Sequence, residues 1–113
     1  MLDLNYLCKM SYENAKKRAE HESTIKVDVL DTLKHCAGEV VEATEAYSST
    51  TTVYSVLEAG KIIAQKRDDL AGELADIVCC VLTICGHENI DIELALTKCM
   101  EKNFWRGHKN EAC

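Results

Sequence analysis

Hydrophobic residues recur at helical spacing along most of the chain, and this pattern predicts helices separated by short breaks. The first predicted helix extends from about Leu4 to Glu22 and the second from about Val27 to Tyr47. In the second, apolar residues recur at steps of three and four, which is typical of one buried helix face. This predicted stripe consists of Val29, Leu33, Cys36, Val40, Ala43 and Tyr47. The Ser and Thr residues from 48 to 52 favour local turns and mark a break.

The second half of the chain predicts two further long helices. One extends from about Arg67 to Cys85, with Gly86 as its C-terminal cap. The segment 53–64 before it fits either a short helix or an ordered loop. The last helix begins at Asn89 or Asp91, because both residue types are competent N-caps, and continues toward Trp105 until Gly107 ends it.

The composition agrees with an all-α fold. The 113 residues match one ordinary domain, 47% of them are apolar, and the sequence has no proline to interrupt a helix. We therefore expect a single domain over 1–113, built as a four-helix-type bundle. A short chain with this much apolar surface gains from burying it between subunits, so we expect a homodimer or a homotetramer.

Charge and cysteine content narrow the functional classes. The net charge of −6 argues against binding a nucleic acid polymer, which needs clustered Lys and Arg. The start of the chain lacks the pattern of a signal peptide, which predicts a cytoplasmic protein whose seven cysteines are mostly small buried thiols. No C-x-x-C pair supports a zinc site. The longest apolar run, from Ile77 to Cys85, is too short for a membrane span, so we expect no membrane association.

Acidic residues at helical spacing carry the candidate chemistry. Glu39 and Glu42 are neighbours at the edge of the apolar stripe of the second helix. On the third helix, Glu73 occupies a core-facing position in the series Leu70, Glu73, Ile77, Cys80 and Ile84, and Asp76 lies one turn further on. A buried carboxylate needs a cationic partner, and carboxylates facing one another favour a multivalent cation. Two such pairs offer the oxygen ligands that Mg²⁺ prefers, whereas one E-x-x-E pair alone is usually a solvated face.

The same segments resemble a known family. Residues 38–47, with Glu39, Glu42 and Glu45, and residues 72–77, with Glu73 and Asp76, are similar to the two signature stretches of the MazG-like all-alpha NTP pyrophosphatase superfamily, E-E-x-x-E followed by E-x-x-D. The similarity continues through residues 85–86, 90–96 and 100–103, and it covers about residues 31 to 106. Two departures stand out: Gly38 replaces the first Glu, and the gap between the motifs is lengthened at about residues 54 to 65.

This resemblance implies hydrolysis of an NTP or dNTP to the monophosphate and pyrophosphate. It further implies Mg²⁺, with Mn²⁺ as an alternative, and one carboxylate that orients or deprotonates the attacking water. The metal ligands and catalytic residues it implies are Glu39, Glu42, Glu73 and Asp76. The phosphate-binding or sugar-binding residues it implies are Asn103, Lys102, Lys98 and Arg106.

Several alternatives stay open. A phosphoribosyl-ATP pyrophosphohydrolase would share the acidic helices, and a non-enzymatic helical module would use the acidic edge to bind a basic partner. A ferritin-like di-iron bundle needs Glu-x-x-His, which this sequence lacks. For His35 we favour a partly buried histidine with an ordinary hydrogen bond, for Arg18 and its basic neighbours a solvated face, and for Trp105 a subunit interface or the edge of the core.

Overall fold

The computed structural model describes residues 3–22, 27–48 and 55–108 and contains four α-helices and no strand within them. Helix α1 spans Leu4–His21, α2 Val29–Ser48, α3 Val56–Glu88 and α4 Ile92–His108. The all-α prediction is confirmed. The predicted break at residues 48–52 falls partly on residues outside the described part of the chain.

The bounds of α2 and α4 follow from capping side chains. The Asp28 carboxylate accepts a hydrogen bond from the backbone N–H of Asp31 at 2.8 Å, so α2 begins two residues later than predicted. The Asp91 carboxylate accepts from the N–H of Leu94 at 3.0 Å, which selects Asp91 over Asn89 as the cap of α4. Gly107 does not end α4, because the helix continues to His108.

Helix α3 is a single helix of 33 residues, so two predictions about it are corrected. The segment whose structure was undecided is helical from Val56 and joins the predicted third helix. Ser55 caps its start by accepting from the N–H of Glu58 at 3.1 Å. Gly86 is not the cap, because α3 continues to Glu88 and ends at Asn89, which adopts the left-handed conformation at φ 54°.

The glycine at position 86 has a packing reason instead. A Cβ atom built there would overlap the carbonyl oxygen of Cys8 and lie 2.7 Å from the Cβ of Tyr12. Only a residue without a side chain lets the backbones of α1 and α3 approach this closely. Next to this crossing, Cys8, Leu82 and Cys85 form the buried core, with Leu7 and Ile92 packed against it.

Helices α1 and α2 both pack along α3, whereas α4 contacts the rest of the chain mainly through its first turn. There, the Glu93 carboxylate accepts from the backbone N–H of Leu4 at 3.2 Å, and the Asn5 side chain donates to Asp91 at 3.1 Å. The Asn5 carbonyl oxygen in turn accepts from the N–H of Ile92 at 3.2 Å. The beginnings of α1 and α4 therefore cap each other, while none of the residues of α4 is buried.

The predicted apolar stripe of α2 is only partly buried. Ala43 is buried and Val29 and Cys36 are half-buried, but Leu33, Val40 and Tyr47 are exposed. The periodicity therefore predicts the helix correctly. The prediction that the stripe is buried is wrong for half of its residues within one chain. The apolar side chains on such a helix face either pack against a partner outside the chain or form an exposed apolar patch.

Helix α3 also contains a window of 18 residues with a mean hydropathy of 1.6, of which 17% is buried inside the chain. By length and composition this window meets the criteria for a membrane span, which we did not anticipate from the short continuous apolar runs. A single helix of this kind is weak evidence for a span, because the central helix of a soluble bundle passes the same test. Within the chain, helix α3 packs against both α1 and α2.

The close approach at position 86 generates a stability prediction. Replacing Gly86→Ala should lower the free energy of unfolding by about 1–3 kcal/mol, because the added methyl group must displace backbone rather than a flexible side chain. Denaturant unfolding at fixed protein concentration measures this change. Gly60→Ala is the matched control, since no atom lies within 4 Å of its added Cβ in the same helix. An equal loss of stability in both variants would contradict the packing argument.

Candidate metal and nucleotide site

Three glutamates from two helices converge at the α2–α3 interface. One carboxylate oxygen from each of Glu39, Glu42 and Glu73 lies within 4.8 Å of the other two. Glu39 and Glu42 are one turn apart on α2, and Glu73 reaches them from α3. The predicted core-facing position of Glu73 is confirmed, because its side chain is only partly exposed and its Oε2 is buried.

Glu73 is the electrostatic centre of the cluster. Within residues 3–22, 27–48 and 55–108, its Oε2 is the one buried side-chain oxygen or nitrogen without a hydrogen-bond partner. Burial raises the pKa of Glu73, and a hydrogen bond with Glu39 and the charges of Glu42, Glu39 and Asp76 raise it further. These causes all oppose the charged form of Glu73, and a bound cation would offset them.

The oxygen geometry suits a small divalent cation. Octahedral Mg²⁺ holds its ligands at about 2.0–2.1 Å, so its ligand oxygens lie about 3–4 Å apart. The 4.8 Å limit within the cluster is slightly wider than that, and side-chain rotation or a bridging water closes the difference. The buried Glu73 oxygen without a partner supports the fit independently, because buried carboxylates are ordinarily paired.

Asp76 takes a different position from the three glutamates. It is exposed and lies outside the set of oxygens within 4.8 Å, but it is close enough to raise the pKa of Glu73 by its charge. It also lines the adjacent cleft. Its predicted role as a ligand stays a prediction, and its position fits a residue that acts on the cleft side of the cluster.

A cleft of roughly 840 Å³ opens beside the cluster between α1, α2 and α3. Its volume is in the range of small-molecule sites. Glu39 and Asp76 form its acidic wall, and cationic side chains line it as well. Its lining residues are Ala15, Arg18, Val27, Asp31, Thr32, Lys34, His35, Glu39, Asp76, Cys79, Cys80 and Thr83.

Three cationic or titratable residues line this cleft although the sequence did not predict that they belong to the site. His35 Nε2 lies 3.0 Å from Glu39 Oε1, which confirms the expected hydrogen bond, but 69% of its side chain is exposed, so the expected burial was wrong. Arg18 is exposed, as predicted, and it also lines the cleft, as does Lys34, which the sequence analysis does not single out. Lys34 lies five residues before Glu39, and this proximity to an acidic motif was the available signal.

The four predicted phosphate-binding residues lie elsewhere in the chain. All of them are exposed on α4, and none lines the cleft; they are Lys98, Lys102, Asn103 and Arg106. Asn103 donates to the Sγ of Cys99 at 3.7 Å. Phe104 and Trp105, also on α4, are exposed and contact each other edge to face, so the expectation of a core edge is not met within one chain.

Comparison with known proteins gives one match. A model of the MazG nucleotide pyrophosphohydrolase domain matches residues 28–110, whereas no curated protein and no solved structure matches the chain significantly. The matched region includes all of α2, α3 and α4, and with them the three clustered glutamates. Helix α1, which contributes Ala15 and Arg18 to the cleft, lies outside it. The family match covers well over half of the 113 residues and includes all three clustered glutamates. The chain therefore belongs to the MazG nucleotide pyrophosphohydrolase family.

Proposed function

We propose that this protein hydrolyses a nucleoside triphosphate, either an NTP or a dNTP, to the monophosphate and pyrophosphate in a reaction that depends on Mg²⁺. The observation that carries the proposal is that Glu73, whose Oε2 is buried without a hydrogen-bond partner, brings a carboxylate oxygen within 4.8 Å of one from each of Glu39 and Glu42. These three carboxylates would hold the ion, with Asp76 on the cleft side. The family match supports a nucleotide pyrophosphohydrolase in general. The choice of an NTP or dNTP as the substrate and of Mg²⁺ as the metal goes beyond that match.

A bound divalent ion would supply neutralisation of the triphosphate charge and polarisation at phosphorus. The protein's own groups would do the rest. Glu39, whose Oε1 lies 3.0 Å from His35 Nε2, lines the cleft and would also position or deprotonate a water molecule there. Arg18 and Lys34 on the cleft wall would attract the polyphosphate that the acidic wall alone would repel.

The proposal makes a direct prediction about Glu73. Glu73→Gln should lower pyrophosphate release by more than about 100-fold, because removing a direct ligand should cost at least as much as removing the groups that orient ligands. It should also abolish any rise in melting temperature on adding Mg²⁺, while leaving the metal-free protein folded, since the amide removes a buried charge. The measurements are pyrophosphate release from a panel of NTPs, dNTPs and phosphoribosyl-ATP, and thermal melts with and without Mg²⁺.

Glu88→Gln is the matched control, since this exposed residue of α3 lies outside the cluster and its side chain contacts the adjacent His87. It should keep full activity. Turnover of phosphoribosyl-ATP alone would replace the proposed substrate with the closest enzymatic alternative. If the unsubstituted protein neither releases pyrophosphate nor binds a nucleotide with Mg²⁺, the non-enzymatic module becomes the better interpretation.

We also propose that the functional unit is a homodimer or a homotetramer. The chain has 8894 Å² of accessible surface, whereas a compact monomer of 12.6 kDa has about 6200 Å². Exposed apolar side chains contribute to this surface. On α3 they form a stripe of Leu74, Val78 and Val81, and on α4 the largest are Met100, Phe104 and Trp105. The excess is of the size that obligate homo-oligomers bury.

This second proposal predicts the effect of a charge within the α3 stripe. Val78→Glu should convert the oligomer to a monomer of 12.6 kDa in sedimentation equilibrium, because burying an unpaired carboxylate at an interface costs several kcal/mol. Lys61→Glu introduces the same side chain at an exposed position of the same helix outside the stripe, and it should leave the mass unchanged. A wild-type protein that is monomeric at micromolar concentration would refute the proposal.

The predicted phosphate-binding role of α4 can be tested by mixing subunits. Within one chain, Asn103 does not line the cleft, so its role requires a second copy or a movement of α4. If a second copy supplies it, an inactive Glu73→Gln subunit combined with an inactive Asn103→Ala subunit has one site without either defect. Pyrophosphate release should then recover to about a quarter of the wild-type rate after equal mixing and subunit exchange of a dimer.

No recovery, with mixed oligomers verified by mass spectrometry, would assign Asn103 to the cleft of its own chain or to no site at all. A Lys102→Ala variant tested in the same way would show whether the neighbouring cation follows the same rule. Full activity of Asn103→Ala alone would remove this residue from the substrate site.

A further inference from the structure

One helical turn before the acidic cluster, α2 carries a histidine that contacts one of the clustered carboxylates. His35 Nε2 lies 3.0 Å from Glu39 Oε1. In an α-helix the Cα–Cβ bond tilts toward the N-terminus, so a side chain at position 39 reaches back over the turn that holds position 35. In the part of the chain that the structure describes, His35 is the one basic side chain paired with Glu39. Both residues line the cleft.

The two side chains of this pair differ in their surroundings. The Glu39 side chain is 12% exposed, whereas the side chain of His35 is 69% exposed. A pair of this spacing on a solvent-facing turn contributes little to the stability of a helix. The contact therefore adds little to the fold, and its main effect is on the orientation of the Glu39 carboxylate.

The hydrogen bond from His35 leaves Glu39 able to bind a cation. A carboxylate has two oxygens, and each of them offers more than one lone pair. The bond to His35 uses one of these positions on Oε1 and leaves the others available. Glu39 also contributes one of the three carboxylate oxygens that lie within 4.8 Å of one another. A glutamate without such a partner must have several torsions immobilised when it becomes a ligand, and the contact with His35 reduces this entropic cost.

We propose that His35 is a positioning residue, which orients the Glu39 carboxylate for a divalent cation shared with Glu42 and Glu73. This inference deepens the proposed function and rests on it, since it concerns the cation that the proposed reaction uses. The neutral ring with its proton on Nε2 and the charged imidazolium both donate from Nε2, so the role does not depend on the charge of His35. Partners that orient metal ligands in this way typically change metal affinity or activity by about 10–100-fold.

The direction of the change in metal affinity separates this role from two simpler ones. If His35 acted only as a positive charge beside the site, its removal would strengthen the binding of a cation. If it positions Glu39, its removal should weaken binding, because the cation must then immobilise the carboxylate itself. If it merely supported the fold, its removal would lower the melting temperature and leave the metal affinity of the folded protein unchanged.

The first measurement uses the full-length protein and Mn²⁺ alone, with the free ion followed by electron paramagnetic resonance. His35→Ala should weaken Mn²⁺ binding by about 10-fold or more. His35→Gln keeps an N–H donor near the position of Nε2 and should restore most of the lost affinity. The melting temperature of each variant without metal should stay within about 2 °C of the wild-type value, since the pair adds little stability.

His21→Ala is the matched control for the loss of an imidazole. His21 is exposed at the end of α1 and does not line the cleft. This variant should bind Mn²⁺ with the affinity of the wild-type protein and should keep its activity.

The second measurement is the release of pyrophosphate as free Mg²⁺ is varied, with the nucleoside triphosphate that the wild-type protein hydrolyses best. In His35→Ala the Mg²⁺ concentration for half-maximal release should rise by about 10-fold or more. The KM for the nucleotide at saturating Mg²⁺ should stay close to the wild-type value, because His35 is not assigned a contact with the substrate.

The possible failures are distinguishable. If the wild-type protein is active and His35→Ala binds Mn²⁺ equally well or more tightly, the inference about His35 is overturned and the proposed hydrolase function stands. A higher KM with unchanged metal binding would make His35 a substrate contact instead. A His35→Gln variant as defective as His35→Ala would exclude the hydrogen bond as the cause. A wild-type protein that neither binds Mn²⁺ nor releases pyrophosphate would overturn the metal-dependent function itself, and this inference with it.

Discussion

Mutual repulsion among carboxylates that two helices hold together is the constraint on which the site depends. Glu39 and Glu42 share one turn of α2, and the packing of α2 against α3 forces Glu73 toward them. The helices cannot separate to relieve this repulsion without exposing the core at the same interface, where Ala43 and Cys80 are buried. The fold therefore maintains an unfavourable local charge, and a cation that binds there is stabilised by energy already stored in the packing.

The sequence predicted this constraint because it depends on helical periodicity alone. The 3-4 alternation through Leu70, Glu73 and Ile77 specifies which face of α3 meets α2 whatever the rest of the chain does. The ends of α1 and α4 are predicted to within a few residues, because one capping side chain of each helix, Asp3 or Asp91, lies next to that helix in the sequence. The end of α3 was not, because a glycine near a helix end has two explanations, and only the approach of Cys8 distinguishes them.

What periodicity could not supply was the partner of each apolar face. The stripes on α2 and α3 were recognised, but a stripe specifies only that a face avoids water. Leu33 belongs to the predicted stripe of α2 and yet lies on the outside of a single chain. The cleft was also beyond prediction, because Arg18 reaches it from α1, a helix distant in sequence from Glu39 and Asp76, and no local spacing rule connects the three.

The hydrogen bonds by which the beginnings of α1 and α4 cap each other have a consequence for biosynthesis. Leu4 finds its acceptor in Glu93, which is 89 residues away, and the Asn5 carboxamide pairs with groups 86 and 87 residues away. During translation, the first helix emerges from the ribosome long before these acceptors exist, and its leading turn has only the Asp3 carboxylate as a cap. The first turn of α1 therefore gains these native partners only after residues 91–93 have been made, which ties this step of folding to the arrival of α4.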